Sequence, residues 1–163
     1  MLSSWTDFLS MLAQVAVALL ALLFVSFQIA RDRWVSKPAR QLVAIQTLLE
    51  FLTPSFFAII ALLPVAPFNI GSVQLSGWQI GGFLTSIFGL VVSLAVSRYG
   101  LTHHKSIDKF LETQLKLQPI AILEYVLILI FSIAGNLVLA SIMMIWLLLS
   151  GSFETWLFFS ELD

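Results

Sequence analysis

Cysteine is absent, charge is scarce and soluble sequence is almost missing, and each shortage closes off a class of function. With no cysteine among 163 residues, disulfide exchange, thiolate catalysis and cysteine-based metal sites are excluded. Only 10% of residues are charged and 60% are hydrophobic, where a soluble domain carries about 25% charge. Phe8 to Ala30 holds no charged residue, Gln41 to Ser97 holds only Glu50, and Leu117 to Phe153 holds only Glu124. A helix needs about 20 apolar residues to cross about 30 Å of hydrocarbon. The pattern predicts an all-α, four-helix transmembrane bundle, a single transmembrane domain over 1–163, with spans at about 8–30, 41–63, 78–97 and 120–150. The N-terminus has no basic region or small-residue cleavage site, so the first span is expected to be retained. The short connections leave no soluble module, and function is expected in the membrane or at its surfaces.

What charge there is has a strict order. All eight Lys and Arg fall in two segments: Arg31, Arg33, Lys37 and Arg40, then Arg98, Lys105, Lys109 and Lys116. By the positive-inside bias both segments are cytoplasmic, and four spans then put both termini outside. On that reading Asp7, Glu154, Glu161 and Asp163 collect on the outer face, and "FETWLFFSELD" with Trp156, Phe158 and Phe159 is an outer interfacial anchor. Ser106 as N-cap, followed by Ile107, Phe110, Leu111 and Leu115 at helical spacing, predicts a short cytoplasmic amphipathic helix at about 106–117. Its lysines, with Arg31, Arg33, Lys37 and Arg40, are expected to meet anionic lipid headgroups. "VSFQIAR" at 25–31 and "VSLAVSR" at 92–98 each close an outside-to-inside span, through either a duplicated helical hairpin or the small vocabulary of apolar sequence.

Several faces are built for helix contact. Gly82, Ser86, Gly89, Ser93 and Ser97 form one small-residue face on the third span. In lipid, close backbone approach through small side chains drives helix association, so this face predicts packing within the bundle or between subunits. Gln14, Ala18, Ala21, Val25 and Gln28 form a second face, either hydrogen-bonded to a neighbour or bordering a narrow polar path. Asn136, in line with Ser132 and Ala140, is expected near mid-bilayer as an interhelical amide clamp or a ligand-facing amide.

The carboxylate within "LLEFLTPSFF" is the main functional candidate. Glu50 is about 13 Å along the helix from Gln41, too deep to snorkel. Gln46 and Thr53 share its stripe, and Pro54 removes the N–H that would bond the Glu50 carbonyl. Three roles are open: a neutral structural hydrogen-bonding group, a cation or proton site in a wet path, or a contact to a partner. Glu124 is expected at the interface with Lys116 or Arg98. His104, Asp108 and Glu112 at i, i+4 and i+8 form either a weak divalent-cation site or a solvated face; no metal or other cofactor is expected.

"LLALLFVSFQIARDRW" followed by "ARQLVAIQTLLEFLTPSFF" resembles the first half of small four-span bacterial membrane proteins of unassigned function, which implies the bacterial cytoplasmic (inner) membrane. Length, span number and orientation also resemble the MAPEG glutathione-dependent family, where Glu50 and Pro54 fit the second-helix pattern. The chain departs from that pattern at Val43, Ala44, Ile45 and Thr47, and it has a shorter first loop and no visible carrier for thiolate-stabilising arginine chemistry. Sequence therefore points away from an enzyme and toward a homo-oligomeric ion channel or conducting subunit. The alternative is a non-conducting accessory subunit of a larger membrane complex; no nucleic-acid partner is expected.

Overall fold

A computed structural model describes residues 2–63, 68–70, 73–102 and 109–160. Five long helices dominate: α1 (Leu2–Ile29), α3 (Pro38–Leu62), α4 (Gly77–Thr102), α5 (Lys109–Ile133) and α6 (Leu137–Ser160). All five are long and apolar enough to cross a membrane. A single turn, α2 (Arg31–Trp34), links α1 to α3, and a small antiparallel hairpin, β1 (Phe68–Ile70) with β2 (Val73–Leu75), precedes α4.

The expected span at 120–150 is two helices. The chain reverses at Ala134–Asn136, where Gly135 takes a φ of 70°, a conformation open to glycine at little cost. The Asn136 side-chain oxygen accepts the Leu139 N–H at 3.1 Å and caps α6. Asn136 is exposed at this turn. The interhelical clamp expected of it at mid-bilayer is therefore replaced by a helix cap, because its side chain is used by its own backbone. Both family likenesses expect four spans, and the described residues form five long helices.

The added helix also moves the C-terminal end. Phe27, near the end of α1, packs on Phe158 and Phe159 with ring centroids 5.1 and 5.7 Å apart, and Trp34 reaches Phe158 at 6.4 Å. The end of α6 thus sits beside the Arg31–Trp34 turn, not at the opposite end of the bundle. Phe158 is buried there and does not form the expected outer anchor. The amphipathic helix expected at 106–117 differs as well: residues 103–108 lie outside those described, and Lys109 onward is the first part of α5, continuous through Pro119.

Alongside an apolar core that includes Phe27, Phe57, Ile128 and Met144, burial departs from that of a soluble protein. Large apolar side chains such as Leu22, Phe24, Phe88, Val91 and Leu149 are exposed, while Gln46, Thr47, Glu50, Thr53, Gln114, Gln118, Glu124 and Glu154 are buried. A hydrocarbon solvent produces this arrangement, since polar groups there must find partners inside the protein. Helix α3 is central and packs on α1, α4 and α6.

The small-residue face of α4 is used inside the bundle. A side chain at Gly82 would strike Ser132, one at Gly89 would strike the Tyr125 ring, and one at Gly100 would strike Leu115. All three obstacles belong to α5, so these glycines set the close α4–α5 approach. Ser86 and Ser93 are buried on the same face, and Ser97 is partly buried with its hydroxyl donating to the Ser93 carbonyl at 2.9 Å.

Candidate functional site

Glu50 is fully buried in the middle of α3. It faces α6 at Gly151, where a Cβ would lie 3.0 Å from the Glu50 Cβ and 3.1 Å from its Oε2. Pro54 sits one turn beyond, inside the helix, and leaves the Glu50 carbonyl without its usual intrahelical donor.

Two more acids join it. Glu124 on α5 is 3% exposed and Glu154 on α6 is 5% exposed. Glu124 does not reach the interface to pair with Lys116 or Arg98: its Oε1 accepts the Trp146 indole N–H at 2.6 Å, and Lys116 pairs instead with Glu112 at 2.8 Å. Glu154 does not join an acidic outer face: it lies against Thr47 and Glu50. The physical reason is the α5–α6 reversal, which turns α6 back along the bundle and carries Glu154 to the level of Glu50.

Ser150 connects the acids. Its hydroxyl lies 3.3 Å from Glu50 Oε2, 3.4 Å from Glu124 Oε2 and 3.2 Å from the Leu147 carbonyl. A hydroxyl has one hydrogen to donate and two lone pairs. It can give that hydrogen to one carboxylate while accepting another from a protonated carboxyl, and such a link passes a proton without moving a side chain.

A column of buried polar groups runs from the acids toward the end of the bundle that carries the Arg31–Trp34 turn. Gln118 Nε2 donates to Gln46 Oε1 at 2.7 Å across α5 and α3, and Gln114 is buried one turn below Gln118 with neither amide atom hydrogen-bonded. Arg40, expected at the headgroups, is instead buried at the start of α3. On the other side of the acids, Thr53 and the buried Tyr125 extend the polar set by one turn. Beyond them Phe57 and Ile128 are both fully buried.

The other sequence candidates are not brought to this site. Gln14 and Gln28 are exposed with the rest of their stripe on the outer face of α1, and Gln14 Nε2 donates to Ser10 at 3.3 Å. Arg31, Lys37 and Lys116 are exposed, while Lys105 and the side chains of Arg33 and Lys109 lie outside the described residues. Of the possible His104–Asp108–Glu112 site only Glu112 is described, and it is exposed. Glu124, Glu154, Ser150, Tyr125 and Gln118 are members of the polar interior that sequence reasoning missed, and the exposed Trp146 reaches it through its indole N–H. For Gln118, Tyr125 and Glu154 the signal was periodicity: Gln114, Gln118, Ala121, Tyr125, Ile128 and Ser132 fall on one face of α5, and Met144, Leu147, Gly151, Glu154 and Phe158 on one face of α6; Glu124, Ser150 and Trp146 lie off these faces and carried no such signal.

No family model, curated protein or solved structure matches this chain.

Proposed function

We propose that the protein is a five-span membrane protein that conducts protons or small cations through the interior of its own helical bundle. The observation that carries this reading is the Glu50–Ser150–Glu124 link, two buried acids on two helices joined through one hydroxyl, with a third buried acid, Glu154 of α6, against Glu50. Ionisable groups inside a membrane are costly to bury, face the bundle interior and mark ion pathways and proton relays. Gln46, Gln118 and Gln114 supply further hydrogen-bonding groups toward the basic end, and Thr53 and Tyr125 extend them toward the centre. Phe57 and Ile128 act as the gate, so passage requires that apolar layer to open.

The positive-inside bias orients the bundle with the Arg31–Arg40 and Arg98–Lys116 segments in the cytoplasm. Five spans then put the N-terminus outside and the C-terminus inside, and the buried polar column runs toward the cytoplasmic end. The bacterial cytoplasmic membrane is the setting that the first hairpin's resemblance suggests, and Arg31, Lys37 and Lys116 are exposed where they can meet anionic headgroups. The test is flux in liposomes containing the purified protein, compared between wild type and Glu50→Gln.

A second reading is favoured by one specific feature. The Gln14–Ala18–Ala21–Val25–Gln28 face is exposed along α1, and two amides directed at lipid are better satisfied by a partner helix. That helix belongs to a second copy in a homo-oligomer or to a larger membrane complex for which this chain is an accessory subunit. Cysteines placed at Ala18 or Ala21 should cross-link in membranes in the first case, and recover a different protein in the second.

A further inference from the structure

Between α5 and α6 lies a cavity of about 260 Å³, just below the range of about 300–1,000 Å³ usual for drug-sized ligands and so suited to a smaller molecule. Its walls are apolar, and Trp146, Leu149 and Phe153 line it while being about half exposed or more on the outer surface of the bundle. The cavity therefore opens sideways, toward the hydrocarbon. At its base stand Glu124, Ser150 and Glu154.

The lining has a definite polarity. Glu154 is buried and lines the cavity; its carboxyl lies against Thr47 and Glu50 on the inner side, and its Oε2 has no hydrogen-bond partner. Glu124 is held by the Trp146 N–H and the Ser150 hydroxyl. No basic side chain lines the cavity among the described residues. Buried acceptors without donors are costly, and a cation bearing N–H groups supplies both the charge and the missing donors. The Trp146 indole on the cavity wall offers the aromatic surface that cations favour.

We infer that this lateral cavity binds small lipophilic ammonium ions that enter from the bilayer, with Glu154 and Glu124 receiving the ammonium and the Leu149–Phe153 wall receiving the apolar body. The inference deepens the conduction reading, because it uses two of the same acids, and it makes the site one where an organic cation meets the proton pathway. A phospholipid ammonium shares the headgroup chemistry but carries a phosphate close by, and the cavity has no basic group to receive it; the occupant is a free amine.

Equilibrium binding of phenylbutylammonium to the full chain in phosphatidylglycerol nanodiscs tests this, with phenylbutanol as the neutral isostere and empty nanodiscs as the partition control. The ammonium should bind saturably and about tenfold or more tighter than the alcohol. Glu154→Gln and Glu124→Gln should each weaken it by about tenfold, and Leu149→Trp, a change on the exposed wall that does not touch the acids, should abolish it by filling the cavity. Equal binding of ammonium and alcohol, no saturable binding, or binding unchanged in Leu149→Trp would overturn the inference. So would loss of ammonium binding when phosphatidylethanolamine is added, which would make the lipid the occupant. The two readings separate cleanly: Glu50-dependent flux without ammonium binding removes the ligand site alone, and ammonium binding without any flux removes the conduction alone.

Discussion

Glu50 on α3 and Gly151 on α6 touch backbone to side chain: a Cβ at 151 would stand 3.0 Å from the Glu50 Cβ and 3.1 Å from a Phe51 ring carbon. The glycine is what lets α6 approach the buried acid closely enough for Ser150 to bridge it to Glu124. Gly151→Ala should therefore cost a modest amount of stability, and Gly151→Leu more, about 1–3 kcal/mol or beyond, the usual penalty for overpacking. Thermal unfolding in detergent checks the order. A leucine tolerated without loss would mean that α6 does not approach α3 this closely.

The five-helix architecture makes a labelling prediction that differs from the four-span one. Ser36 and Ser160 are exposed near one end of the bundle, and Ser4 is exposed near the other. Single cysteines at Ser36 and Ser160 should react with an impermeant maleimide from the same side of the membrane, and one at Ser4 from the opposite side. The chain has no cysteine of its own, so the background is clean. Labelling of Ser160 from the side opposite Ser36 would restore an even number of spans and remove Glu154 from the acid cluster.

Helical, apolar character was legible in the sequence, because long apolar runs have one physical use in lipid; whether Glu50 met protein, water or a partner, and whether the Gly82–Gly89 face packed within the bundle or between subunits, stayed open in it. The partners of these residues were not legible. The run 120–150 looks continuous because the reversal uses only Ala134, Gly135 and Asn136, too few residues to interrupt an apolar stretch. Its length was the overlooked signal: 31 residues of helix extend about 46 Å, well past the hydrocarbon thickness. Once that run is two helices, Glu154 moves from a presumed outer tail into the core, Glu124 gains Trp146 and Ser150 as neighbours, and the small face of α4 acquires Tyr125 and Ser132 as its mates. The outward direction of the Gln14–Gln28 stripe was equally hidden, because periodicity shows that residues share a face and not which way the face points.

Asn136 separates a cap from a polar pathway residue. Its side chain accepts the Leu139 N–H and is exposed at the α5–α6 turn. Asn136→Ala should lower stability by about 0.5–2 kcal/mol, the cost of losing an N-cap, and Asn136→Asp or Asn136→Ser should largely restore it. Flux per folded molecule should stay the same in all three. A change in selectivity with intact stability would return Asn136 to the pathway.

On α4 and α5, Gly89 and Tyr125 form a size-matched pair, the ring occupying the space that a side chain at 89 would need. Gly89→Leu should destabilise the bundle strongly, whereas Tyr125→Phe should be nearly neutral for folding because the Tyr125 hydroxyl, beside Thr53, makes no close hydrogen bond. If the hydroxyl serves conduction, Tyr125→Phe should lower flux while leaving the melting temperature within about a degree or two, an effect too small to reflect unfolding.

The Glu50 carboxyl carries the sharpest prediction. Glutamine has the same shape and can still hydrogen-bond with Ser150, so Glu50→Gln should fold and melt close to wild type. It cannot exchange a proton at neutral pH or attract a cation by charge, so a pathway through the Glu50–Ser150–Glu124 link should lose most of its flux, at least about tenfold, the scale set by removing an essential proton-transfer group. Glu124→Gln should act in the same direction, and the double variant should be no worse than the more severe single one, since two breaks in one relay do not add. The measurement is proton or cation flux in liposomes at matched protein density, with Asn136→Ala as the structural control. Full flux in Glu50→Gln would leave the buried acid as a packing element, and the outer face of α1, with Gln14 and Gln28 directed at a partner, would become the place to look for function.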